Sequence, residues 1–323
     1  MLETFGIVIT QVAMLFILIA VGFFLCKKGI LNDTVRKGVT VILLDIVTPC
    51  VVIAEMQTER TTERMTGLLV TVAVCALYFI IFILLSALLT LRHKNDNPRR
   101  ASEQICSIYS NCGFMGLPLL ASLSSIVGND ALFYGSVIIG MYNLFIFTHG
   151  IALFRGEDKA ESAKRKILST VKMLITPAVI AIFIGTALFF MNFSLPSVIG
   201  RPIEYIASMN TPLAMLVIGA IICNSNILEI FRDKRIYFPV ILKNLVYPLL
   251  FLGICFILTL INVPSHALLI CAIIMSCPVA GNCAIFSERY EGDSKLASGA
   301  FSLSTLVSII TIPLIVTLAT SIL

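Results

Sequence analysis

The stretch Tyr109-Ser-Asn-Cys-Gly-Phe-Met-Gly-Leu-Pro118 decides the fold, because it interrupts an apolar segment long enough to cross a membrane. Glycine and proline both weaken an α-helix, and proline also removes a backbone hydrogen bond. A stretch of the same character, Ser276-Cys-Pro-Val-Ala-Gly-Asn282, interrupts a later apolar segment at an offset of 164 residues. Irregular backbone at membrane depth is tolerated where it is buried in protein or lines a wet cavity. The two stretches therefore predict a pair of broken helices that cross at a functional site.

Ten apolar segments make up most of the chain, which is 58% hydrophobic and 13% charged. Each segment has the roughly 20 mostly apolar residues that a spanning helix needs. The sequence therefore predicts an all-α polytopic membrane protein with ten transmembrane helices, in which the broken stretches fall in helices 4 and 9. We place the ten helices at roughly 5–26, 38–57, 66–91, 101–123, 130–154, 171–192, 202–223, 236–261, 265–287 and 295–321.

Short sequence echoes relate the two halves of the chain. Val21–Leu25 is echoed by Ile184–Leu188, and Thr48-Pro49 is echoed by Thr211-Pro212, both at an offset of 163 residues. Five helices per half is an odd number, so the second half must cross the bilayer in the opposite direction to the first. Inverted repeats of this kind are a feature of secondary transporters.

The charged segment after helix 5 marks the boundary between the halves. The prediction is a first five-helix repeat at 1–154, a cytoplasmic linker at 155–170 and a second, inverted five-helix repeat at 171–323, in one membrane domain. Of the 23 basic residues, 20 lie in or beside alternate connections. By the positive-inside rule, both termini lie outside and the 155–172 loop lies in the cytoplasm, with the protein in the plasma or inner membrane. The net charge of +5 therefore reflects membrane orientation and does not indicate nucleic-acid binding.

The two breaks supply the predicted substrate site. A half-helix that starts at a break presents free N–H groups and partial positive charge, which suit an anion. A half-helix that ends there presents carbonyl oxygens, which suit a cation. The candidate substrate-binding residues are Asn111, Gly113, Gly116, Pro118, Ser276, Pro278, Gly281 and Asn282.

Ionisable residues within the spans are candidates for coupling transport to an ion gradient. Asp45, early in helix 2, could take up and release a proton, or it could bond a neighbouring broken helix. His149, near the cytoplasmic end of helix 5, could relay protons or could be structural. Lys243, near the start of helix 8, is expected to extend its charged end to the membrane interface.

Enzymatic chemistry is not expected. The sequence contains no GxSxG, HExxH or Walker A motif, and its ten cysteines form no CxxC pair with metal-binding spacing. We therefore predict a protein that is not an enzyme and that has no cofactor and no metal site. The possible coupling ion is H+ or Na+.

The Asn-Cys-Gly-Phe-Met-Gly-Leu-Pro-Leu run at 111–119 resembles the Asn-x-Gly-Phe-x-Gly-x-Pro signature of the auxin efflux carrier family. That family includes plant PIN transporters and bacterial permeases described as malate or malonate carriers. Asn210–Gly219 and Cys277–Asn282 resemble its helix 7 and helix 9 segments. The resemblance extends over essentially the whole chain, although the long hydrophilic loop of plant PIN proteins is missing.

The resemblance implies two inverted five-helix repeats with a scaffold part, a transport part and an elevator-like movement. By motif position, Asn111 and Pro118 lie at the helix 4 crossover, and Pro278 and Asn282 lie at the helix 9 crossover. It also implies a homodimer in the lipid bilayer and transport of a small organic anion, a carboxylate such as malate or an auxin-like acid. Two alternatives remain open, a cation/proton antiporter on a similar scaffold and a membrane sensor that does not transport.

Overall fold

The computed structural model describes residues 2–93, 96–154 and 175–323, and these are almost entirely helical. The predicted linker at 155–170 lies outside the described residues. We number the main helices α1 (Leu2–Lys27), α2 (Asp33–Met56), α3 (Thr62–Leu89), α4 (Asn97–Ile108), α5 (Cys112–Ser122), α6 (Ala131–Gly150), α7 (Pro177–Met191), α8 (Ser197–Cys223), α9 (Lys234–Leu260), α10 (Ser265–Met275), α11 (Gly281–Arg289) and α12 (Ser294–Ile322).

The lengths of these helices confirm an all-α polytopic membrane protein. Seven of them are long and apolar enough to cross a membrane, namely α1, α2, α3, α6, α8, α9 and α12. Three more, α5, α7 and α10, are apolar but only 10–17 residues long. The predicted count of ten transmembrane helices stays a prediction.

The two predicted breaks meet in space. The helical backbone stops at Ile108 at the end of α4 and at Met275 at the end of α10. A short non-helical segment follows each end before α5 or α11 begins. Ser110 and Val279 form an antiparallel bridge across the gap. Antiparallel pairing means that the two broken segments run in opposite directions here, and the inverted repeat of five helices per half stays a prediction.

The packing of the remaining helices also relates the two halves. α1 packs along α8, and the equivalent contact of the other half, α7 along α2, is present as well. Gly22 and Gly185, which belong to the sequence echo, allow these close approaches. A Cβ at Gly22 would collide with the backbone of Leu216, and one at Gly185 would lie 2.9 Å from the Cβ of Met56. Small residues let membrane helices approach closely, so the echo marks equivalent packing contacts.

The helices pack as two groups. The four-helix group comprises α1, α2, α7 and α8, which pack on one another. The crossover group comprises α3–α6 and α9–α12, which surround the paired breaks. The two groups meet where α1 contacts α5 and α12, where α2 and α7 contact α6, and where α8 contacts α5. The breaks therefore lie beside the surface along which the groups meet.

Four helices contain a wider, π-type turn. Three of these turns precede a proline, at Pro49, Pro118 and Pro248. Proline cannot donate a hydrogen bond and its ring clashes with a carbonyl of the preceding turn, so a wider turn relieves the helix. Such turns are frequent at functional sites. The ionisable residues Asp45, His149 and Lys243 each lie in one of them.

Candidate functional site at the helix crossover

A cavity of about 370 Å³ lies beside the paired breaks. Five of the predicted site and coupling residues line it, namely Asp45, Asn111, Gly113, Gly281 and Asn282. Its other walls come from α2, α6, α7, α8 and α12, so both helix groups contribute to it. The cavity therefore lies at the junction between the four-helix group and the crossover group.

Two half-helices begin at this cavity. α5 starts at Cys112 and α11 starts at Gly281, and both starts line the cavity. The first N–H groups of a helix have no partner within the helix, and its start carries about half a positive charge. A Cβ at Gly113 would meet no atom of the described residues within 4 Å. A ligand can therefore approach the backbone N–H groups at the start of α5.

Two main-chain hydrogen bonds hold the paired breaks. The Asn111 N–H donates to the carbonyl oxygen of Pro278 at 2.8 Å, and the Ala280 N–H donates to that of Tyr109 at 3.0 Å. Buried backbone groups need such partners in a membrane. The bonds fix the starts of α5 and α11 relative to each other.

The side chain of Asn111 is a buried donor at the cavity wall. The residue is 5% exposed, and among the described residues its Nδ2 atom has no hydrogen-bond partner. The main-chain carbonyl oxygen of Asn111 accepts hydrogen bonds from the Met115 and Gly116 N–H groups. An unpaired buried donor costs about 1–3 kcal/mol, which is recovered when a ligand supplies an acceptor. In contrast, the Nδ2 atom of Asn282 donates to the Tyr142 hydroxyl at 3.3 Å.

Arg36 is a cavity residue that sequence reasoning assigned only to membrane orientation. Arg36 lines the cavity, and its guanidinium bonds Asp33 at 3.2 Å. Among the described lining residues, Arg36 and Asp45 are the charged ones. Arg36, Thr40 and Thr48 lie on α2 at intervals of four or eight residues and share one face. That polar stripe is the sequence signal that would have identified Arg36.

Residues 7–316 match the family described as "Membrane transport protein". The chain belongs to this family. It is the auxin efflux carrier family that the run at 111–119 resembles. A protein of Rhizobium meliloti (strain 1021) named "Putative malonate transporter" is 25% identical over 239 residues, which are 72% of this chain and 72% of that protein. The protein is therefore a member of a family of integral membrane transporters.

Four predicted site residues of the transporter lie behind the cavity wall. Gly116, Pro118, Ser276 and Pro278 are not among the residues that line the cavity: Gly116 and Pro118 lie within α5, and Ser276 and Pro278 lie between α10 and α11. The Ser276 hydroxyl donates to the carbonyl oxygen of Ile273, and the Pro278 carbonyl oxygen accepts from Asn111. The direct contact of all four with a substrate stays a prediction, and the Pro278 carbonyl oxygen takes part in pairing the two breaks.

His149 contacts the crossover without lining the cavity. Its Nδ1 atom lies 3.0 Å from the hydroxyl of Tyr109, whose backbone belongs to the break. The Tyr109 hydroxyl is also 2.9 Å from the carbonyl oxygen of Phe145. This placement agrees with the structural alternative for His149, and proton relay stays a prediction.

The expectation for Lys243 is wrong. Its side chain does not extend to the interface but is fully buried in the crossover group. The ammonium nitrogen lies 2.5 Å from the Ser110 hydroxyl, 2.8 Å from the carbonyl oxygen of Met275 and 3.2 Å from the Tyr78 hydroxyl. Its partners come from α3 and from both breaks, so the tertiary fold, rather than distance from the end of α9, decides where the charge lies.

The far end of the cavity reaches the beginnings of three helices. Arg36 and Thr40 lie near the start of α2, Pro177 begins α7, and Ser298 lies near the start of α12. Each start follows a connection that contains basic residues or, before α12, is flanked by Arg289 and Lys295. In the orientation that these residues predict, the cavity extends from the crossover to the cytoplasmic side.

Proposed function

We propose that the protein is a secondary active transporter of a small organic anion that bears a carboxylate group. One observation carries the proposal: the unpaired Asn111 amide donor and the starts of α5 and α11 share one cavity. Two helix starts and a buried amide donor form a neutral site with concentrated positive potential. The malonate transport named for the Rhizobium meliloti relative supports the same substrate class.

The cavity supports an organic anion over an inorganic one. A volume of about 370 Å³ falls within the roughly 300–1,000 Å³ typical of small-molecule sites. Phe114, Ile139 and Ile221 give it apolar walls, while threonine and asparagine side chains supply neutral polar groups. A dicarboxylate such as malonate or malate would place one carboxylate at the helix starts, and Arg36, which also bonds Asp33, would pair with the other.

The two helix groups support an elevator-type movement. The four-helix group would stay fixed as the scaffold, and the crossover group would carry the site across the membrane. Because the cavity lies where the groups meet, sliding one group past the other would change the side from which it opens. The predicted orientation makes this the inward-facing state. The homodimer implied by the sequence resemblance is part of the proposal, and the mass of the purified protein in detergent tests it.

The alternatives have less support. A cation/proton antiporter would be expected to have adjacent acidic groups at the breaks, whereas Asp45 shares the cavity with Arg36. A membrane sensor without turnover could use the same cavity, and transport measurements separate the two.

Purified protein in proteoliposomes is expected to accumulate radiolabelled malonate or malate when a pH or sodium gradient is imposed. Unlabelled substrate on the same side should compete for the site, and protein-free liposomes give the background. A panel of other small carboxylates and an amino acid then defines selectivity. Failure to transport any carboxylate under either gradient would contradict the proposal, and binding without transport would favour the sensor.

Replacing Asp45 with asparagine tests the coupling ion. If Asp45 carries the coupling proton, Asp45→Asn should abolish accumulation driven by a pH gradient, because the amide cannot take up a proton. Exchange of labelled for unlabelled substrate at equal pH should continue, since it needs no net proton movement. Accumulation by Asp45→Asn at the wild-type rate would exclude Asp45 as the proton site.

A further inference from the structure

The buried Lys243 lies on the opposite side of the crossover from the helix starts. α4 ends at Ile108 and α10 ends at Met275, and both ends point toward the lysine. The ammonium donates directly to the Met275 carbonyl oxygen, and it reaches the Ile108 carbonyl oxygen through the Tyr78 hydroxyl, which donates to that oxygen at 2.9 Å. One side of the crossover therefore gathers two helix ends, and the other gathers two helix starts.

The hydrogen-bond pattern favours a charged lysine. The Tyr78 hydroxyl donates to the carbonyl oxygen of Ile108, and the Ser110 hydroxyl donates to the carbonyl oxygen of Met275 at 3.2 Å. In this arrangement both hydroxyl oxygens accept from Lys243, as the Met275 oxygen does. It uses three donors, which an ammonium group has, whereas a neutral amine has two.

The charges at the crossover balance without an acidic residue. Within the described ranges 2–93, 96–154 and 175–323, none of the ion pairs includes Lys243. Each helix end contributes about half a negative charge, so the ends of α4 and α10 together offset one ammonium. The two starts at the cavity then leave about one positive charge, which matches a single carboxylate.

We propose that Lys243 is a built-in cation of the crossover, which fills an oxygen cage formed by Ser110, Met275 and Tyr78 so that an anion binds at the helix starts without a bound sodium ion. The lysine is a positioning residue. It reaches the cavity through Ser110, which lines the cavity and also pairs with Val279. The inference rests on the proposed function for the identity of the anion, but the cation cage can be tested without it.

The first measurement is the unfolding temperature of purified protein in sodium, ammonium or choline chloride. Wild-type protein is expected to unfold at the same temperature in all three salts, because Lys243 already fills the cage. Lys243→Ala should unfold several degrees lower in choline, and sodium or ammonium should recover part of this loss by entering the emptied cage. Lys243→Met, which fills the space without charge, should be destabilised and insensitive to the salt. The matched control is Lys234→Ala, an exposed lysine at the start of the same helix.

The outcomes separate the two proposals. Wild-type protein stabilised by sodium relative to choline would overturn the built-in cation, as would a Lys243→Ala variant that folds and responds to salt like wild type. The wild-type comparison stands even if the variants do not fold. In uptake assays at constant pH, replacing sodium with choline should leave malonate transport within twofold, and Lys243→Met should weaken apparent malonate affinity about tenfold or more. If wild-type protein transports no carboxylate, the proposed function fails, while the unfolding measurements still decide the role of Lys243.

Discussion

Replacing Asn111 with aspartate is expected to abolish carboxylate uptake while leaving the protein folded. The substitution keeps the size of the side chain but removes the Nδ2 donor and adds a negative charge at the starts of α5 and α11. Asn111→Ala should lose less, about 10- to 150-fold in affinity, because a hydrogen bond to a charged group contributes about 1.5–3 kcal/mol. Labelled malonate uptake into proteoliposomes measures both variants.

Folding should survive these substitutions because the backbone of Asn111, rather than its side chain, holds the crossover. The unfolding temperatures of Asn111→Ala and Asn111→Asp are therefore expected to stay close to wild type. Asn226→Asp is the matched control, since Asn226 is exposed and aspartate also caps a helix, although its exposed hydrogen bond to the Glu229 side chain is lost. Uptake by Asn111→Asp at the wild-type rate would show that the anion binds elsewhere.

The largest effect on stability is expected for Gly219→Leu. A Cβ at Gly219 would collide with the carbonyl oxygen of Ile19 and lie 2.7 Å from the backbone nitrogen of Phe23. Backbone cannot yield as a flexible side chain can, so α1 and α8 would have to separate. We expect a loss of about 3 kcal/mol or more, at the upper end of overpacking effects. Size-exclusion profiles of the detergent-solubilised protein should show mainly aggregate.

Gly253→Leu is the matched control for this prediction. Gly253 lies exposed on α9, and a Cβ there would meet no atom of the described residues within 4 Å. Both substitutions add the same apolar side chain to a membrane helix, so they differ only in the packing that it meets. Equal yields of folded protein from the two variants would contradict the close approach of α1 and α8.

The crossing of the broken helices could be predicted from the sequence because proline and glycine act locally. Pro278 interrupts the second apolar segment, Gly113, Gly116 and Pro118 weaken the first, and the repeat offset of 164 residues aligns Asn111–Pro118 with Met275–Asn282. The cavity contacts of Asn111 and Asn282 followed from the same reasoning. Whether these residues bind substrate stays a prediction.

Lys243 could not be placed in this way, because its location depends on contacts that are remote in sequence. Its partners Tyr78 and Ser110 are 165 and 133 residues away. A lysine side chain is long enough to reach an interface or a buried cage from the same backbone position. The position of Lys243 in α9 therefore does not by itself show whether the side chain reaches the interface or the buried cage. The same reasoning applies to Arg36, whose place in the cavity depends on how α2 packs against the crossover group.

The paired breaks have a consequence for how specificity can change. Main-chain atoms make the bonds between Asn111 and Pro278 and between Ala280 and Tyr109, so side chains are not needed for those bonds. Positions that face the cavity, such as Gly113 and Asn143, can then vary without loss of these main-chain bonds. We therefore expect single substitutions at cavity-facing positions to change substrate preference while the crossover stays intact.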